Sequence, residues 1–433
     1  MRVTFQVQPG GALSGRVRVP GDKSISHRAV MLGALAEGTT TVSGFLNGED
    51  CRCTMKAFQA MGARIEQVAP TELRVHGVGL HGLKAPGGEL DLGNSGTSMR
   101  LMAGLMSGQK FATTLIGDES LSRRPMKRIM EPLSQMGARI DAIEGHAPLK
   151  ISPVAGLRGI TYRSPVASAQ VKSGVLLAGL YASGRTEVTE PEASRDHTER
   201  MLRAFGIEVD AEPGRAALAG GQALKGTRIE VPADISSATF FMVGAAIAPG
   251  SDVTLTDVGI NPTRTGIIEI LRRMGADIEL RNERQLGAEP VADIRVRGRT
   301  LSGIVVDREL VTAAIDEFPA VFVAAACARG QTVVSGAEEL RVKESDRIQT
   351  MCEGLSALGI AAQPRPDGAL ISGGRLLGGA IDSRGDHRVA MAFAMAGLRA
   401  EQPVTILDCA NVDTSFPGFA ALAAGAGLGI SVR

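Results

Sequence analysis

Aromatic side chains are scarce in this chain of 433 residues, which has twelve Phe, two Tyr and no Trp. Proteins that bind single-stranded nucleic acid stack its bases on aromatic side chains, so the composition disfavours that class. An excess of charge of either sign is also lacking, since the formal net charge is +1. A nearly neutral chain has no overall field that would attract it to nucleic acid or to an anionic membrane.

Long hydrophobic runs are missing as well. The longest, roughly residues 320–328, is far shorter than the ~20 residues that span a bilayer. The first residues lack the apolar stretch of a signal peptide, and the five cysteines are not spaced like those of a disulfide framework. We therefore expect a protein of the cytoplasm that makes no membrane contact.

Glycine, by contrast, is abundant, and a short glycine-containing phrase recurs. It reads Met-Gly-Ala-Arg-Ile at residues 61–65 and 136–140, and Met-Gly-Ala-Asp-Ile at residues 274–278. Weaker copies surround three further glycines, which are Gly206, Gly359 and Gly427. Because the six glycines are 68 to 84 residues apart, the sequence predicts six repeats of about 70 residues.

Each copy predicts the same local structure. Residues 55–61 place apolar side chains at helical spacing, and residues 63–68 alternate as a strand does. Gly62 between them suits the left-handed position that ends a helix. The repeated phrase therefore predicts an amphipathic helix followed by a strand.

A second type of helix is predicted in every repeat, and it is apolar nearly all round. Such a helix is buried on every side, and its Ala and Gly residues permit close packing. The six apolar stretches are residues 29–36, 101–106, 175–181, 240–248, 321–328 and 391–398. We expect three repeats in each of two domains, with the midpoint near residues 231–234 and a cleft between the domains.

Polar residues precede each apolar stretch, and Asp, Asn and Ser there are the preferred helix N-caps. Capping alone does not explain the cations near these helix starts, where the helix dipole disfavours positive charge. The cations are Lys23, Arg28, Arg100, Lys172 and Arg388. Several helix N-termini together with Lys and Arg favour a site for a polyanion.

Seven segments then become recognisable: residues 20–28, 92–100, 123–126, 168–173, 316–319, 341–347 and 386–388. In this order they resemble the signatures of the 5-enolpyruvylshikimate-3-phosphate synthase family. The resemblance runs from about residue 20 to Pro417, which is nearly the whole chain. One such segment would be weak evidence, whereas seven in register are strong evidence.

The resemblance implies an α/β fold of two similar domains. Each domain consists of three βαβαββ repeats around buried parallel helices, an inside-out α/β barrel of the enolpyruvyl transferase type. In this family the N-terminal strand joins the C-terminal half. The first domain is therefore expected to comprise residues 1–20 plus 234–433, and the second domain residues 21–233, with the active site between them.

The resemblance also implies a reaction. Family members transfer the carboxyvinyl group of phosphoenolpyruvate to the 5-hydroxyl of shikimate 3-phosphate, through a tetrahedral intermediate that expels phosphate. We expect these two small molecules as partners, no metal or organic cofactor, no nucleic-acid or membrane partner, and a monomer.

Site residues carry over from the family motifs. The resemblance assigns shikimate 3-phosphate to Lys23, Ser24, Arg28, Ser168, Ala169, Gln170, Arg195, Asp316 and Lys343. It assigns phosphoenolpyruvate to Lys23, Gly96, Arg124, Gln170, Arg347 and Arg388. Two departures stand out: residues 412–417 lack the Lys that some members have before Thr-Phe-Pro, and Ala169 replaces a Ser.

The reaction needs a base at the 5-hydroxyl and an acid at the vinyl carbon, and two carboxylates in different environments can share this work. The resemblance makes Asp316 the candidate base and Glu344 the candidate acid and base at the methylene carbon. Lys23 is the third catalytic candidate, because it can stabilise charge on the leaving phosphate. Which group moves which proton stays open.

Three alternative functions fit the sequence less well. The sister enzyme that uses UDP-N-acetylglucosamine generally carries a Cys on a mobile loop, and residues 109–125 contain none. A non-catalytic binder of phosphorylated metabolites would gain nothing from Asp316 and Glu344, because acids weaken anion binding. A nucleic-acid-processing relative disagrees with the neutral charge and the scarce aromatics.

Overall fold

The computed structural model describes residues 3–433, and the chain divides into two compact units. Unit 1 consists of the N-terminal residues up to Pro20 together with Pro232–Arg433, and unit 2 is Gly21–Val231. Within the described range, no helix has the length and apolarity that a membrane crossing requires.

The strands are short. In chain order they are β1 (Phe5–Val7), β2 (Ser14–Val17), β3 (Glu37–Ser43), β4 (Arg64–Ala69), β5 (Glu72–Val78), β6 (Leu90–Asp91), β7 (Thr113–Ile116), β8 (Arg139–Ile143), β9 (His146–Ser152), β10 (Leu157–Arg158), β11 (Thr161–Arg163), β12 (Ala182–Ser183), β13 (Arg185–Thr189), β14 (Val209–Glu212), β15 (Arg215–Ala219), β16 (Arg228–Glu230), β17 (Asp252–Gly259), β18 (Asp277–Leu286), β19 (Glu289–Arg297), β20 (Val305–Val306), β21 (Gln331–Val334), β22 (Ala361–Arg365), β23 (Gly368–Ser372), β24 (Gly379–Asp382), β25 (Val404–Leu407) and β26 (Ile430–Val432).

The helices alternate with these strands. They are α1 (Lys23–Leu35), α2 (Glu49–Ala60), α3 (Gly96–Ser107), α4 (Glu119–Ser122), α5 (Lys127–Gln135), α6 (Ala169–Gly179), α7 (His197–Ala204), α8 (Ile235–Ile247), α9 (Gly266–Arg273), α10 (Arg308–Ala314), α11 (Phe318–Cys327), α12 (Arg347–Ala357), α13 (His387–Ala396), α14 (Val412–Ser415) and α15 (Phe419–Gly425), with 3₁₀ turns at Glu338–Val342 and Gly397–Arg399.

Six four-stranded sheets, counted over residues 3–433, share one topology. The first strand is parallel to the second, and the other neighbouring pairs are antiparallel. Unit 2 contains β16-β3-β5-β4, β6-β7-β9-β8 and β11-β13-β15-β14, and unit 1 contains β2-β17-β19-β18, β20-β21-β23-β22 and β24-β25-β1-β26. This recurrence confirms the predicted α/β fold.

The N-terminal segment completes two sheets of unit 1. Strand β2 pairs in parallel with β17, and β1 lies between β25 and β26, with Phe5 opposite Ile406 on one side and Val432 on the other. The segment therefore contributes strands to sheets whose other strands come from the C-terminal half of the chain.

The apolar stretches form buried helices, as predicted: α1, α3 and α6 in unit 2, and α8, α11 and α13 in unit 1. All thirteen residues of α8 are buried. Helices α3 and α6 approach each other at glycines, because a Cβ at Gly104 would lie 2.0 Å from the carbonyl oxygen of Gly174. Only a residue without a side chain permits this approach.

The recurring glycines follow the amphipathic helices, and all of them have the predicted left-handed backbone. They are Gly62, Gly137, Gly206, Gly275, Gly359 and Gly427, with φ between 87° and 114°. Each ends its helix and redirects the chain toward a strand, which confirms the local structure predicted from the repeated phrase.

Five of the six buried helices begin with a capping side chain, as predicted. For the sixth, α11, the prediction is wrong. Side chains of Asp22, Ser95, Ser168, Asp234 and Asp386 accept hydrogen bonds from backbone N–H groups of the first turn. At α11 the cap position is Glu317, whose side chain makes no capping bond. Pro319 stands in the first turn of α11 and has no N–H, which reduces the number of donors that need a partner.

Candidate active site

The ammonium group of Lys23 is held by a buried carboxylate at the start of α1 in unit 2. Lys23 Nζ lies 2.6 Å from Oδ2 of Asp50, whose side chain is 3% exposed. Asp22 caps the same helix by accepting a hydrogen bond from the N–H of Ile25. The first turn of α1 therefore presents a cation whose position is fixed by a group on α2.

Arg28 lies deeper on α1 and is only 4% exposed. Its Nε donates to Oγ1 of Thr198, its Nη2 to Oγ of Ser173, and its Nη1 to the carbonyl oxygen of Ser24. The guanidinium thus ties α1 to α6 and α7. Contact between Arg28 and a substrate stays a prediction.

His27 joins α1, the middle of α2 and the start of α3 in one buried network. Its Nδ1 is 2.8 Å from Oγ1 of Thr54 on α2 and 3.2 Å from Oγ of Ser98 on α3, and its Nε2 is 3.2 Å from Oγ of Ser95. Burial, followed by the nearby Lys23, lowers the pKa of His27 well below its usual value. A neutral imidazole is therefore part of the packing around the α1 cations.

The start of α3 gathers two guanidinium groups around a glycine. A Cβ at Gly96 would lie 3.1 Å from Nη1 of Arg100 and 3.1 Å from Nη1 of Arg124. Arg100 Nη1 donates to Oε1 of Gln170, and Arg124 Nη2 donates to Oδ1 of Asn94 at 2.8 Å. A helix N-terminus flanked by guanidinium groups suits an anion, so Gly96, Arg124 and Gln170 meet as the sequence analysis expects of one site.

The start of α6 differs from the start of α3, because its cation is already neutralised. Lys172 Nζ lies 2.9 Å from Oε1 of Glu199 and 3.1 Å from Oε2 of Glu190. Burial alone would lower the pKa of Lys172, but the two carboxylates outweigh it and raise the pKa. Within the protein, Lys172 is therefore paired with two carboxylates, and its place among the cations of an anion site stays a prediction. Ser168 caps α6, and Ala169 is its first residue.

Arg347 is the central residue of the candidate site in unit 1. Its Nε lies 2.8 Å from Oδ2 of Asp386, its Nη2 lies 2.6 Å from Oε2 of Glu344, and its Nη1 lies 3.7 Å from Oδ1 of Asp316. Burial alone would lower the pKa of Arg347, but Asp386 and Glu344 outweigh it and raise the pKa. For Asp386, Arg347 outweighs burial and lowers the pKa.

Asp316 stands in the turn between α10 and α11, with its carboxylate between two cations. Oδ1 is 3.3 Å from Nζ of Lys343, besides its contact with Arg347. The backbone carbonyl of Asp316 accepts a hydrogen bond of 3.1 Å from Nη1 of Arg388. Unit 1 therefore brings together all five residues that the sequence analysis assigned to its site.

The two candidate proton-transfer groups have different surroundings although they share Arg347. Asp316 is 15% exposed and also contacts Lys343, whereas Glu344 is 17% exposed and pairs with Arg347 at the start of α12. Carboxylates that are oriented by cations and open to solvent can exchange protons with a bound molecule. Their arrangement suits a reaction that moves protons at two positions.

Some residues of these clusters were missed by sequence reasoning. Asp50 and Glu190 are buried carboxylates with cationic partners, yet in the sequence they resemble ordinary charges at a helix start and a strand end. Arg100 was expected among the cations near the helix starts but was assigned to neither substrate, and it contacts Gln170. Its position one helical turn after Gly96 was the one signal that could have placed it in the site.

Comparison with known proteins assigns the chain to a family. The family described as EPSP synthase (3-phosphoshikimate 1-carboxyvinyltransferase) matches residues 7–422. A 3-phosphoshikimate 1-carboxyvinyltransferase of Methylococcus capsulatus is 64% identical over 431 residues, which are 99% of each chain. One of Alkalilimnicola ehrlichii is 61% identical over 429 residues, covering 99% of this chain and 96% of that protein.

A solved structure is similar throughout. The EPSP synthase of Acinetobacter baumannii has a TM-score of 0.89 and 56% identity, and the match covers 100% of both chains. These findings confirm the resemblance that the seven segments indicated, and the chain belongs to the EPSP synthase (3-phosphoshikimate 1-carboxyvinyltransferase) family.

Proposed function

We propose that this protein transfers the enolpyruvyl group of phosphoenolpyruvate to the 5-hydroxyl of shikimate 3-phosphate and releases phosphate. Family membership over the whole chain supports this transferase activity and its place in the shikimate pathway to aromatic amino acids. The observation that carries the proposal is the pair of carboxylates, Asp316 and Glu344, oriented by the one guanidinium group of Arg347.

Phosphoenolpyruvate is a small, highly charged molecule, and the guanidinium groups suit it. In unit 2, Arg124 lies beside Gly96 at the start of α3, where no side chain blocks the backbone. In unit 1, we assign its carboxylate and phosphate to Arg347 and Arg388. Planar guanidinium forks bind both groups in a bidentate manner, which an ammonium group does not.

Shikimate 3-phosphate needs ligands for a phosphate, a carboxylate and hydroxyls. We assign its phosphate to the starts of α1 and α6, through Lys23, Ser24, Ser168, Ala169 and Gln170. Helix N-termini offer N–H donors and partial positive charge to such a group. Arg28, Arg195 and Lys343 complete the proposed set, and Asp316 is assigned to the 5-hydroxyl.

In the first step of the proposed mechanism, Asp316 takes the proton of the 5-hydroxyl as its oxygen attacks C2 of phosphoenolpyruvate. Glu344 donates a proton to C3, which becomes a methyl group in the tetrahedral intermediate. In the second step Glu344 takes a proton back from the methyl group, and the bond from C2 to the phosphate oxygen breaks. The proton on Asp316 leaves with the phosphate, whose developing charge Lys23 stabilises.

Asp316→Asn and Glu344→Gln test the proton-transfer roles. Each variant is expected to lower kcat about 100-fold or more, measured as phosphate release with both substrates present, because each removes one acid–base group. Glu338→Gln is the matched control, since Glu338 is an exposed acid that pairs with Arg308. A variant that keeps the full rate would exclude that carboxylate as a proton-transfer group.

Three further expectations stay predictions. We propose that units 1 and 2 are the two domains expected from the repeats. We further propose that the protein acts in the cytoplasm and works as a monomer.

A further inference from the structure

Two segments of unit 2 carry residues proposed to bind shikimate 3-phosphate. The start of α6 provides Ser168, Ala169 and Gln170, and the loop between β13 and α7 provides Arg195. These segments are more than twenty residues apart in the sequence. Something must therefore fix their relative position, because a phosphate site requires its donors at defined distances.

A single carboxylate links the two segments. Glu190 follows β13 directly and its side chain is 0% exposed. Its Oε1 accepts a hydrogen bond of 2.7 Å from the backbone N–H of Ser168. Its Oε2 accepts one of 2.6 Å from Oγ of Ser194, the residue before Arg195.

The surrounding charges keep this carboxylate in place. Lys172 Nζ contacts Oε2 of Glu190 at 3.1 Å and Oε1 of Glu199 at 2.9 Å, and it donates to the carbonyl oxygen of Ser194 at 3.4 Å. A buried carboxylate needs such a counter-charge and hydrogen-bond donors to compensate for lost hydration. The ammonium group thus contacts both the carboxylate and the loop that the carboxylate holds.

We propose that Glu190 is a positioning residue for shikimate 3-phosphate, fixing the start of α6 and the loop of Arg195 relative to each other. It does not touch the substrate, because its side chain is buried and both oxygens are occupied by protein donors. The inference rests on the proposed function and adds a residue that is itself not a ligand.

Glu190→Gln tests the proposal with little change in volume. The bonds from Ser168 and Ser194 go to different oxygens of the carboxylate. An amide has an NH₂ group in place of one of these oxygens, so one of the two bonds cannot be accepted as before, and Lys172 loses one of its two counter-charges. We expect the KM for shikimate 3-phosphate to rise about tenfold, while kcat and the KM for phosphoenolpyruvate change less than about twofold. Calorimetric titration with shikimate 3-phosphate alone should show the same loss of affinity.

Two further variants keep the test decisive. Ser194→Ala removes one hydrogen bond in a partly exposed loop, and we expect it to raise the same KM about threefold without lowering Tm appreciably. Glu187→Gln is the matched control on strand β13, because Glu187 pairs with Arg185 and Arg215 near the surface. The control should leave both KM values unchanged.

Other outcomes would overturn the proposal. A fall in kcat with both KM values unchanged, or an equal rise in both, would show that Glu190 supports the structure in general. If the wild-type protein releases no phosphate with both substrates, the proposed function fails instead. The titration with shikimate 3-phosphate then decides the positioning role alone.

Discussion

The Nε atom of Arg347 lies 2.8 Å from Oδ2 of Asp386, and the two side chains are 1% and 0% exposed. A second contact of 3.3 Å joins Nη2 to Oδ1, so the pair is bidentate. Arg347 begins α12, and Asp386 caps α13. The ion pair therefore joins the starts of two helices and holds the guanidinium that orients Glu344.

Breaking this ion pair should strongly destabilise the folded protein. Arg347→Met leaves the carboxylate of Asp386 buried without its cation, which is expected to lower the free energy of unfolding by about 3–5 kcal/mol. Adding Asp386→Asn should recover part of that loss, because the amide is neutral and still caps α13. Urea denaturation of the two single variants and the double variant measures the coupling. If the losses in free energy of unfolding of the two single variants simply add up in the double variant, the two side chains are not coupled and the prediction is wrong.

Gly96→Ala should weaken phosphoenolpyruvate binding selectively. The added Cβ would lie 3.1 Å from guanidinium nitrogens of both Arg100 and Arg124, so these groups or the ligand must shift. The KM for phosphoenolpyruvate is expected to rise about tenfold, with little change for shikimate 3-phosphate. Gly87→Ala is the control, since a Cβ there meets nothing within 4 Å. Equal effects on the two substrates would disprove this selectivity.

His27 should make the protein less stable in acid. Burial lowers the pKa of His27 well below its ordinary value of 6.5, so the unfolded chain takes up a proton near that pH and the folded chain does not. The neutral His27 therefore makes its full contribution to the free energy of unfolding above pH 6.5, and this contribution is lost as the pH falls below 6.5. Relative to His27→Asn, the free energy of unfolding should fall about 1.4 kcal/mol per pH unit below 6.5. Denaturation at pH 7, 6 and 5 measures this difference. If the free energies of unfolding of the wild-type protein and His27→Asn change equally with pH, the low pKa of His27 is refuted.

Asp50→Asn should impair catalysis through Lys23. Nζ of Lys23 is 2.6 Å from the buried carboxylate, and a neutral amide would hold the ammonium group less firmly. We expect kcat/KM to fall about tenfold in phosphate-release assays. Glu49→Gln is the control, because Glu49 is an exposed acid in the same helical turn. An unchanged kcat/KM for Asp50→Asn would show that the catalytic role of Lys23 does not depend on Asp50.

Much of the fold could be predicted because its signals are local. Helices such as α8 are apolar on every side, and glycines such as Gly62 and Gly275 require a left-handed backbone at a fixed place in each repeat. Both features stand within a few residues of sequence. The cap of α11 was mispredicted because Pro319 in its first turn reduced the need for a capping side chain.

Buried polar partners could not be predicted in the same way. Lys172 pairs with Glu190 and Glu199, which follow it by 18 and 27 residues. No local sequence pattern indicates these pairs. Likewise, Lys23 contacts Asp50 only because α1 packs against α2. Family motifs supplied the candidate site residues, whereas the charges that hold them became visible only in the folded structure.

Product identification tests the central claim most directly. The purified protein is incubated with phosphoenolpyruvate and either shikimate 3-phosphate or UDP-N-acetylglucosamine, and the products are analysed by mass spectrometry alongside released phosphate. We predict the enolpyruvyl ether of shikimate 3-phosphate, with one phosphate released per product, and no product from the nucleotide sugar. An enolpyruvyl product from UDP-N-acetylglucosamine alone, or no product from shikimate 3-phosphate, would contradict the account.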